Sequence, residues 1–211
     1  MTVLAAVLLT VTPIGPDQIL SRVQSTYKNA GDVEADFAQV YQDKLLAKTR
    51  TEQGHLWTKP DGRVVWQYNK PEHKEFIFDG RSAFFYEPEL AQVTVFDAFA
   101  ESPLANIVRF LTGNGEIQKL FSVGPCVECE VGLPDHLVLA LAPKEPLGNL
   151  ERAWLVVEPK TFRVVKTFVF DALQNRTEYR FSNITFQAQI SDSKFVFKTP
   201  EGVQELRARS N

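Results

Sequence analysis

The residues best equipped for chemistry in this chain are two cysteines, Cys126 and Cys129, spaced as Cys-Val-Glu-Cys. Such a pair can cycle between dithiol and disulfide when it opens a helix after a strand. It can also supply half of a zinc site, given a second pair of ligands. Here Gly124-Pro125 precede it and Val131-Gly-Leu-Pro134 follow, which is turn chemistry rather than a helix start. The three histidines, His55, His73 and His136, do not complete a metal set. A loop is expected, which a local disulfide would pin in an oxidising compartment. Cys126 with His136 as nucleophile and base has no support in the spacing. Asp17, Asp32, Glu34, Asp36 and Asp43 are scattered as acids on solvated faces would be. The sequence holds no Gly-x-Ser-x-Gly elbow, P-loop or dinucleotide fingerprint. The expectation is a protein with no catalytic residues, no cofactor and no metal site.

What the composition does offer is apolar and stiff. Sixteen Phe stand against one Met, and 44% of the chain is hydrophobic. Phe has no hydrogen-bonding tip, so such a chain either packs a β core or lines a broad apolar surface. A net charge of −3 and the lack of a basic stretch argue against nucleic acid as a partner. The start, Met1-Thr-Val-Leu-Ala-Ala-Val-Leu-Leu-Thr-Val, is too short to span a bilayer and is like the apolar region of a secretory signal. Residues 1–13 are therefore read as a signal remnant and residues 14–211 as one domain. With no cysteine near the start to be lipidated, a soluble, exported protein is expected.

The elements needed to hold the aromatics follow from periodicity. Ile19, Leu20, Val23 and Tyr27 recur at helical spacing after Pro16-Asp17, and Asn29-Ala-Gly31 stops the helix. From Val33 to Phe96 the pattern alternates, with turns at Pro60-Asp-Gly62 and Asp79-Gly80. Val64, Trp66 and Tyr68 share one face, as do Phe76 and Phe78. Phe84-Phe85-Tyr86 is apolar on both faces and has no readable orientation. Ser102-Pro103 opens a second helix with the stripe Leu104, Ile107, Val108 and Leu111, ending at Gly113. Strands resume over Leu137–Leu141, Trp154–Val157, Val164–Phe170 and Thr177–Phe181, where Tyr179 and Phe181 face one way. Phe195 and Phe197 predict a last short strand. About ten strands with two helices make a mainly β fold, a curved antiparallel sheet with an α-helical lid. Its outer face would carry polar residues and meet water, and its inner face would leave an apolar cavity.

Gly54-His-Leu-Trp-Thr-Lys-Pro, Trp66-Gln-Tyr, Pro71, Phe78-Asp-Gly80, Tyr86-Glu-Pro and Gln92-Val together resemble the central signature of the LolA family, the periplasmic carriers of outer-membrane lipoproteins. Ala35-Asp-Phe-Ala-Gln39, Ser102-Pro-Leu and Phe195-Val-Phe-Lys-Thr-Pro-Glu-Gly-Val203 resemble its first strand, lid-helix start and C-terminal end. The resemblance runs from about Pro16 to Val203. It implies an incomplete, half-open β-barrel enclosing a hydrophobic cavity. The cargo it implies is acylated lipoproteins, received from an inner-membrane lipoprotein-releasing ABC transporter and passed to an outer-membrane acceptor. Family members carry a lid-contacting Arg just after the Leu-Trp-x-Lys element. Here Pro60 stands at that place, and Arg63 is the nearest candidate for lid control.

The function expected is that of a periplasmic, monomeric chaperone that shuttles lipoproteins between the membranes. The alternative is a periplasmic lipid- or lipoprotein-sensing regulator of the same fold. The acyl-chain lining is expected from Trp57, Trp66, Tyr68, Phe76, Phe78, Phe84, Tyr86, Phe168, Phe170, Tyr179 and Phe181. The helix bearing Leu104, Ile107, Val108 and Leu111 is expected to act as the lid over them.

Overall fold

The computed structural model describes residues 14–101, 117–127 and 129–209. Helix α1 spans Pro16–Lys28 and is followed by β1 (Val33–Asp43), β2 (Lys48–Thr58), β3 (Val64–Lys70), β4 (Lys74–Phe78), β5 (Ala83–Glu87) and β6 (Gln92–Asp97). A short helix α2 (Ile117–Leu120) then leads into β7 (Phe121–Pro125), β8 (Leu137–Pro143), β9 (Leu150–Val157), β10 (Val164–Asp171), β11 (Arg176–Phe186) and β12 (Gln204–Arg209). All twelve strands form a single sheet in the order β12-β6-β5-β4-β3-β2-β1-β11-β10-β9-β8-β7. The long strands β1 and β11 pair at its centre, from Val33↔Phe186 to Gln42↔Arg176. The fold is the mainly β, open curved sheet that the alternation predicts.

The register sorts side chains between the two faces, because directly paired residues point the same way. Phe181 pairs with Phe37, Phe37 with Gly54, and Gly54 with Tyr68. Trp66 pairs with Phe76, and Phe76 with Phe85. On the other half of the sheet Leu155 pairs with Thr167 and Leu139. That face receives α1, whose Ile19, Leu20 and Val23 pack with Ile117, Phe121, Leu139, Leu141, Leu155 and Val157. The helix begins with Pro16 in its first turn and ends at Asn29, as its spacing predicts. The Tyr27 hydroxyl accepts the Val164 N–H at 3.2 Å and so ties the last helical turn to β10. We call this helix-bearing side the inner face.

The outer face departs from expectation: it is not a uniformly polar, wet surface. Val65, Ile77, Trp57 and Phe84 lie under Phe195, Phe197 and Ile190 of the C-terminal segment. Val156, Phe168, Phe170, Val138 and Trp154 lie with Val131, Cys129 and Leu133 of the loop before β8. Phe195 and Phe197 are therefore not in a strand. A 3-10 turn over Asp192–Phe195 drops Phe195, fully buried, onto the sheet, while Phe197 stacks on Phe84 at 5.1 Å. The last strand is β12, and it runs parallel to β6 rather than continuing the antiparallel meander. Cys126 and Cys129 are joined as a disulfide with Cα atoms 5.7 Å apart. The expected helix bearing Leu104, Ile107, Val108 and Leu111, and residues 1–13, lie outside the described residues.

Candidate functional site

At the centre of the inner face three strands deliver one aromatic cluster. Phe37 from β1 meets Trp66 and Tyr68 from β3 at ring-centroid distances of 4.9 and 5.0 Å. Trp66 meets Tyr179 and Phe181 of β11 at 5.4 and 6.0 Å, both edge-on. Glycine makes room for this. A Cβ at Gly54 would stand 2.7 Å from the Phe37 ring and 1.9 Å from the Gln67 carbonyl oxygen, so only glycine lets the ring lie across β2. Trp66, Tyr68, Tyr179 and Phe181 stay half-buried. The Trp66 Nε1–H is buried and finds no acceptor among the described residues.

Beside this cluster lies an apolar pocket between the sheet and α1. Tyr27, Val33, Ala35, Leu56, Thr58, Val164, Phe181 and Ile184 line it, and the cavity they leave is small, ≈ 30 Å³. On the far side Phe76 and Phe96 pack with Phe78, Ala83 and Phe99. Along the inner face, three apolar clusters thus follow one another from β8 to β6.

One end of that surface is polar and fully paired. The Tyr68 hydroxyl donates to Gln39 Oε1 at 2.7 Å, and Gln39 Nε2 donates to Glu52 Oε2 at 3.1 Å. Lys74 Nζ reaches Glu52 Oε1 at 2.6 Å and lies 4.5 Å from the Tyr68 ring centre. Glu52, only 3% exposed, has its charge matched by Lys74 within that belt. Burial pushes the Tyr179 hydroxyl up to about 12 and raises that of Tyr68 as well, so both stay neutral donors.

The expected lining is therefore split between the faces. Trp66, Tyr68, Phe76, Phe78, Tyr179 and Phe181 come together on the inner face. Trp57, Phe84, Tyr86, Phe168 and Phe170 do not join them. They project outward, where Phe197 covers Phe84 and Tyr86, Lys194 lies 3.7 Å from the Trp57 ring, and Trp154 packs on Phe168 and Phe170. Strand alternation forces this, since Trp57 adjoins the inner Leu56 and Phe84 adjoins the inner Phe85. Phe37, Leu56, Ala35 and Tyr27 join the site beyond the expected lining. The alternation Val33, Ala35, Phe37 carried the signal for three positions on that face.

Arg63 lies on the outer face, and the helix it was expected to contact lies outside the described residues. Its guanidinium pairs with Asp61 at 2.7 Å and Asp192 at 3.1 Å and lies over Phe195 at 5.4 Å. Among the described residues it clamps the C-terminal segment on the outer face. His55 also gains partners that sequence spacing does not reveal. Its Nδ1 is 2.7 Å from Asp36, whose other oxygen accepts Asn183 Nδ2 at 2.7 Å. Hydrogen bonds from Asn183 and then His55 hold the Asp36 carboxyl below its usual range. His73 pairs with Glu75 at 3.1 Å. Among the described residues no group of three or more His, Cys, Asp or Glu is placed to hold a metal ion. None of their helices is long and apolar enough to cross a membrane.

A family model described as outer membrane lipoprotein carrier protein LolA matches residues 28–198. The chain belongs to the LolA family. A relative from Nitrosospira multiformis, named outer-membrane lipoprotein carrier protein, is 31% identical over 192 residues, covering 89% of this chain and 87% of its own. One of the same name from Chromohalobacter salexigens is 26% identical over 191 residues, covering 88% and 85%. Among solved structures, an uncharacterised conserved protein from Thermus thermophilus aligns with a TM-score of 0.57 over 91% of this chain and 98% of that one. At 10% identity this last likeness speaks for the fold alone.

Proposed function

We propose that this LolA-family protein binds the acyl chains of lipoproteins on its inner face and carries them through the periplasm from the inner to the outer membrane. The observation that carries the reading is the inner-face aromatic cluster: Trp66, Tyr68, Tyr179 and Phe181 stay half-buried beside an apolar pocket, in a chain matched by a family model described as outer membrane lipoprotein carrier protein. A buried methylene gains about 0.8 kcal/mol, so a sixteen-carbon chain is worth on the order of 10 kcal/mol and does not cross water unprotected. Rings that touch it without directional bonds suit cargo of varied length and allow release. The unpaired Trp66 Nε1–H would serve an ester or amide carbonyl of the acylated cysteine.

An ABC transporter in the inner membrane would load the protein, and an outer-membrane acceptor would unload it. The chain works as a monomer in this reading, and no catalytic step is needed. The helix with Leu104, Ile107, Val108 and Leu111 would close over the inner face. The names of the relatives support a carrier, and no observation favours a regulator. The test is to purify the protein from periplasm and identify what it holds by mass spectrometry. Acylated polypeptides are expected. A protein that is always empty, and that does not release a labelled lipoprotein from inner-membrane vesicles, would end this reading.

A further inference from the structure

Two hairpin tips at one end of the sheet carry leucines that stay exposed among the described residues. Leu45 and Leu46, in the turn between β1 and β2, are 92% and 60% exposed, and Leu173, between β10 and β11, is 78% exposed. The tips adjoin because β1 pairs with β11, with Gln42 opposite Arg176 at that end. The Lys44 N–H donates to Asn175 Oδ1 at 3.0 Å and links one turn to the other. Each turn is held in shape by an aspartate. Asp43 accepts the Leu46 N–H at 2.8 Å, and Asp171 accepts those of Leu173 and Asn175 at 2.9 Å. The leucines are thus presented by ordered turns.

The charge around them has the opposite sign to that of the chain. The protein is acidic at −3, yet residues 43–50 hold Lys44, Lys48 and Arg50 against Asp43 alone. Asp43 and Asp171 turn their carboxylates back to the turn amides. Arg50 is 62% exposed, with Glu52 at 3.6 Å, and Lys44 and Lys48 make no ion pair among the described residues. Apolar side chains at a protruding tip, ringed by cations, match an interface with an apolar interior and an anionic surface. A bilayer makes no demand for shape complementarity. Three leucines on two separate tips do not form the contiguous patch that a protein partner would bury.

We propose that the paired hairpin tips dock this protein on an anionic lipid surface, with Leu45, Leu46 and Leu173 entering the interface and Lys44 and Lys48 facing the lipid phosphates. The proposal stands on the tips and does not depend on what the inner face carries. It is tested with the purified chain and vesicles free of lipoprotein, made of phosphatidylcholine with or without one third phosphatidylglycerol. Cosedimentation is expected only with the anionic vesicles and should weaken as salt rises. Replacing Leu45, Leu46 and Leu173 by Ser should lower partitioning on the order of tenfold per leucine. Lys44→Glu with Lys48→Glu should abolish the preference for anionic vesicles without touching an apolar residue. An environment-sensitive dye on Leu45→Cys should shift to the blue on binding. The proposal falls if the protein ignores both vesicles, binds both equally, or binds as before without its leucines. It falls equally if the leucines prove to hold two copies of the chain together while vesicles are ignored. Any of these results leaves the cargo reading standing.

Discussion

Ala35→Leu should block the inner pocket without unfolding the sheet. Ala35 is 3% exposed and lines the pocket with Leu56, Val33 and Phe181. The substitution places three more carbons in space that an acyl chain would otherwise enter. About three ligand methylenes are then left in water, at roughly 0.8 kcal/mol each, or about 2.4 kcal/mol. That is an affinity loss of about fifty-fold. Overpacking costs about 1–3 kcal/mol. At about 2–4 °C per kcal/mol for a chain of this size, Tm should fall by about 2–12 °C, and the protein stays folded in the assay. The measurement is titration with a fluorescent long-chain fatty acid at constant temperature, with Tm recorded for each variant. Ala38→Leu is the control, since it adds the same bulk to the same strand on the outer face. Wild-type affinity in Ala35→Leu, or an equal loss in Ala38→Leu, would refute the assignment of the acyl chain to this pocket.

Three further outcomes follow from the geometry. Gly54→Ala should lower stability by about 2–3 kcal/mol, or roughly 5–10 °C in Tm, because the Gln67 carbonyl 1.9 Å from the new Cβ cannot retreat as a side chain would. Thermal unfolding reads it, and an unchanged midpoint would mean that Phe37 does not lie across this strand. Burial pushes Glu178 up, but Arg180 and Lys166 more than offset this and hold its carboxyl below the usual range. Its stabilisation is therefore full above the unfolded value of about 4.3 and is lost as pH falls through the lower folded value. Urea midpoints should drop below about pH 4, and Glu178→Gln should flatten that limb. An identical acid limb in the variant would count against the ion cluster. Arg63→Ala should cost about 1 kcal/mol by freeing Phe195 and Asp192, while fatty-acid affinity and lipoprotein uptake stay as in the wild type. Altered uptake at unchanged stability would restore Arg63 as a lid residue.

Most of the inner face is legible because alternation survives wherever one face is buried and the other is mixed. Trp66 with Tyr68, Phe76 with Phe78, and Tyr179 with Phe181 each sit two residues apart and land together. The reading fails where both faces are apolar. Phe84-Phe85-Tyr86 has no polar residue to break the tie, and Phe84 and Tyr86 go outward because Phe197 is there to meet them. That cover comes from more than a hundred residues downstream, beyond any local pattern. Phe195-Val-Phe197 alternates like a strand, yet Ser191 caps a 3-10 turn through the Ser193 N–H and turns the segment into a plug. Strand β12 is polar and pairs on one side only, so its Gln204-Glu-Leu-Arg-Ala-Arg209 carries little strand signal. The His55–Asp36–Asn183 contacts join three strands and depend on a register shift between Glu34 and Asp36.

The outer and inner aromatics differ in what holds them, and the difference bears on which can yield to a ligand. Outside, cations are fixed over the rings: Arg152 over Phe170 at 4.3 Å, Arg176 over Phe168 at 4.8 Å and Lys194 over Trp57 at 3.7 Å. Lys166 adds a hydrogen bond to the Val131 carbonyl at 2.9 Å, pinning the disulfide-closed loop above Phe168. Moving any of these rings means breaking charge-assisted contacts as well. Inside, Trp66 meets Tyr179 and Phe181 edge-on and Phe37 at a tilt, and each such contact is worth about 0.5–1.5 kcal/mol. An acyl chain sliding between them replaces ring–ring contact by ring–methylene contact at little net cost. A sheet that could shift on both faces would lose its register when loaded. In the proposed carrier, a fixed outer face would let the inner one rearrange around an acyl chain while the backbone stays in place.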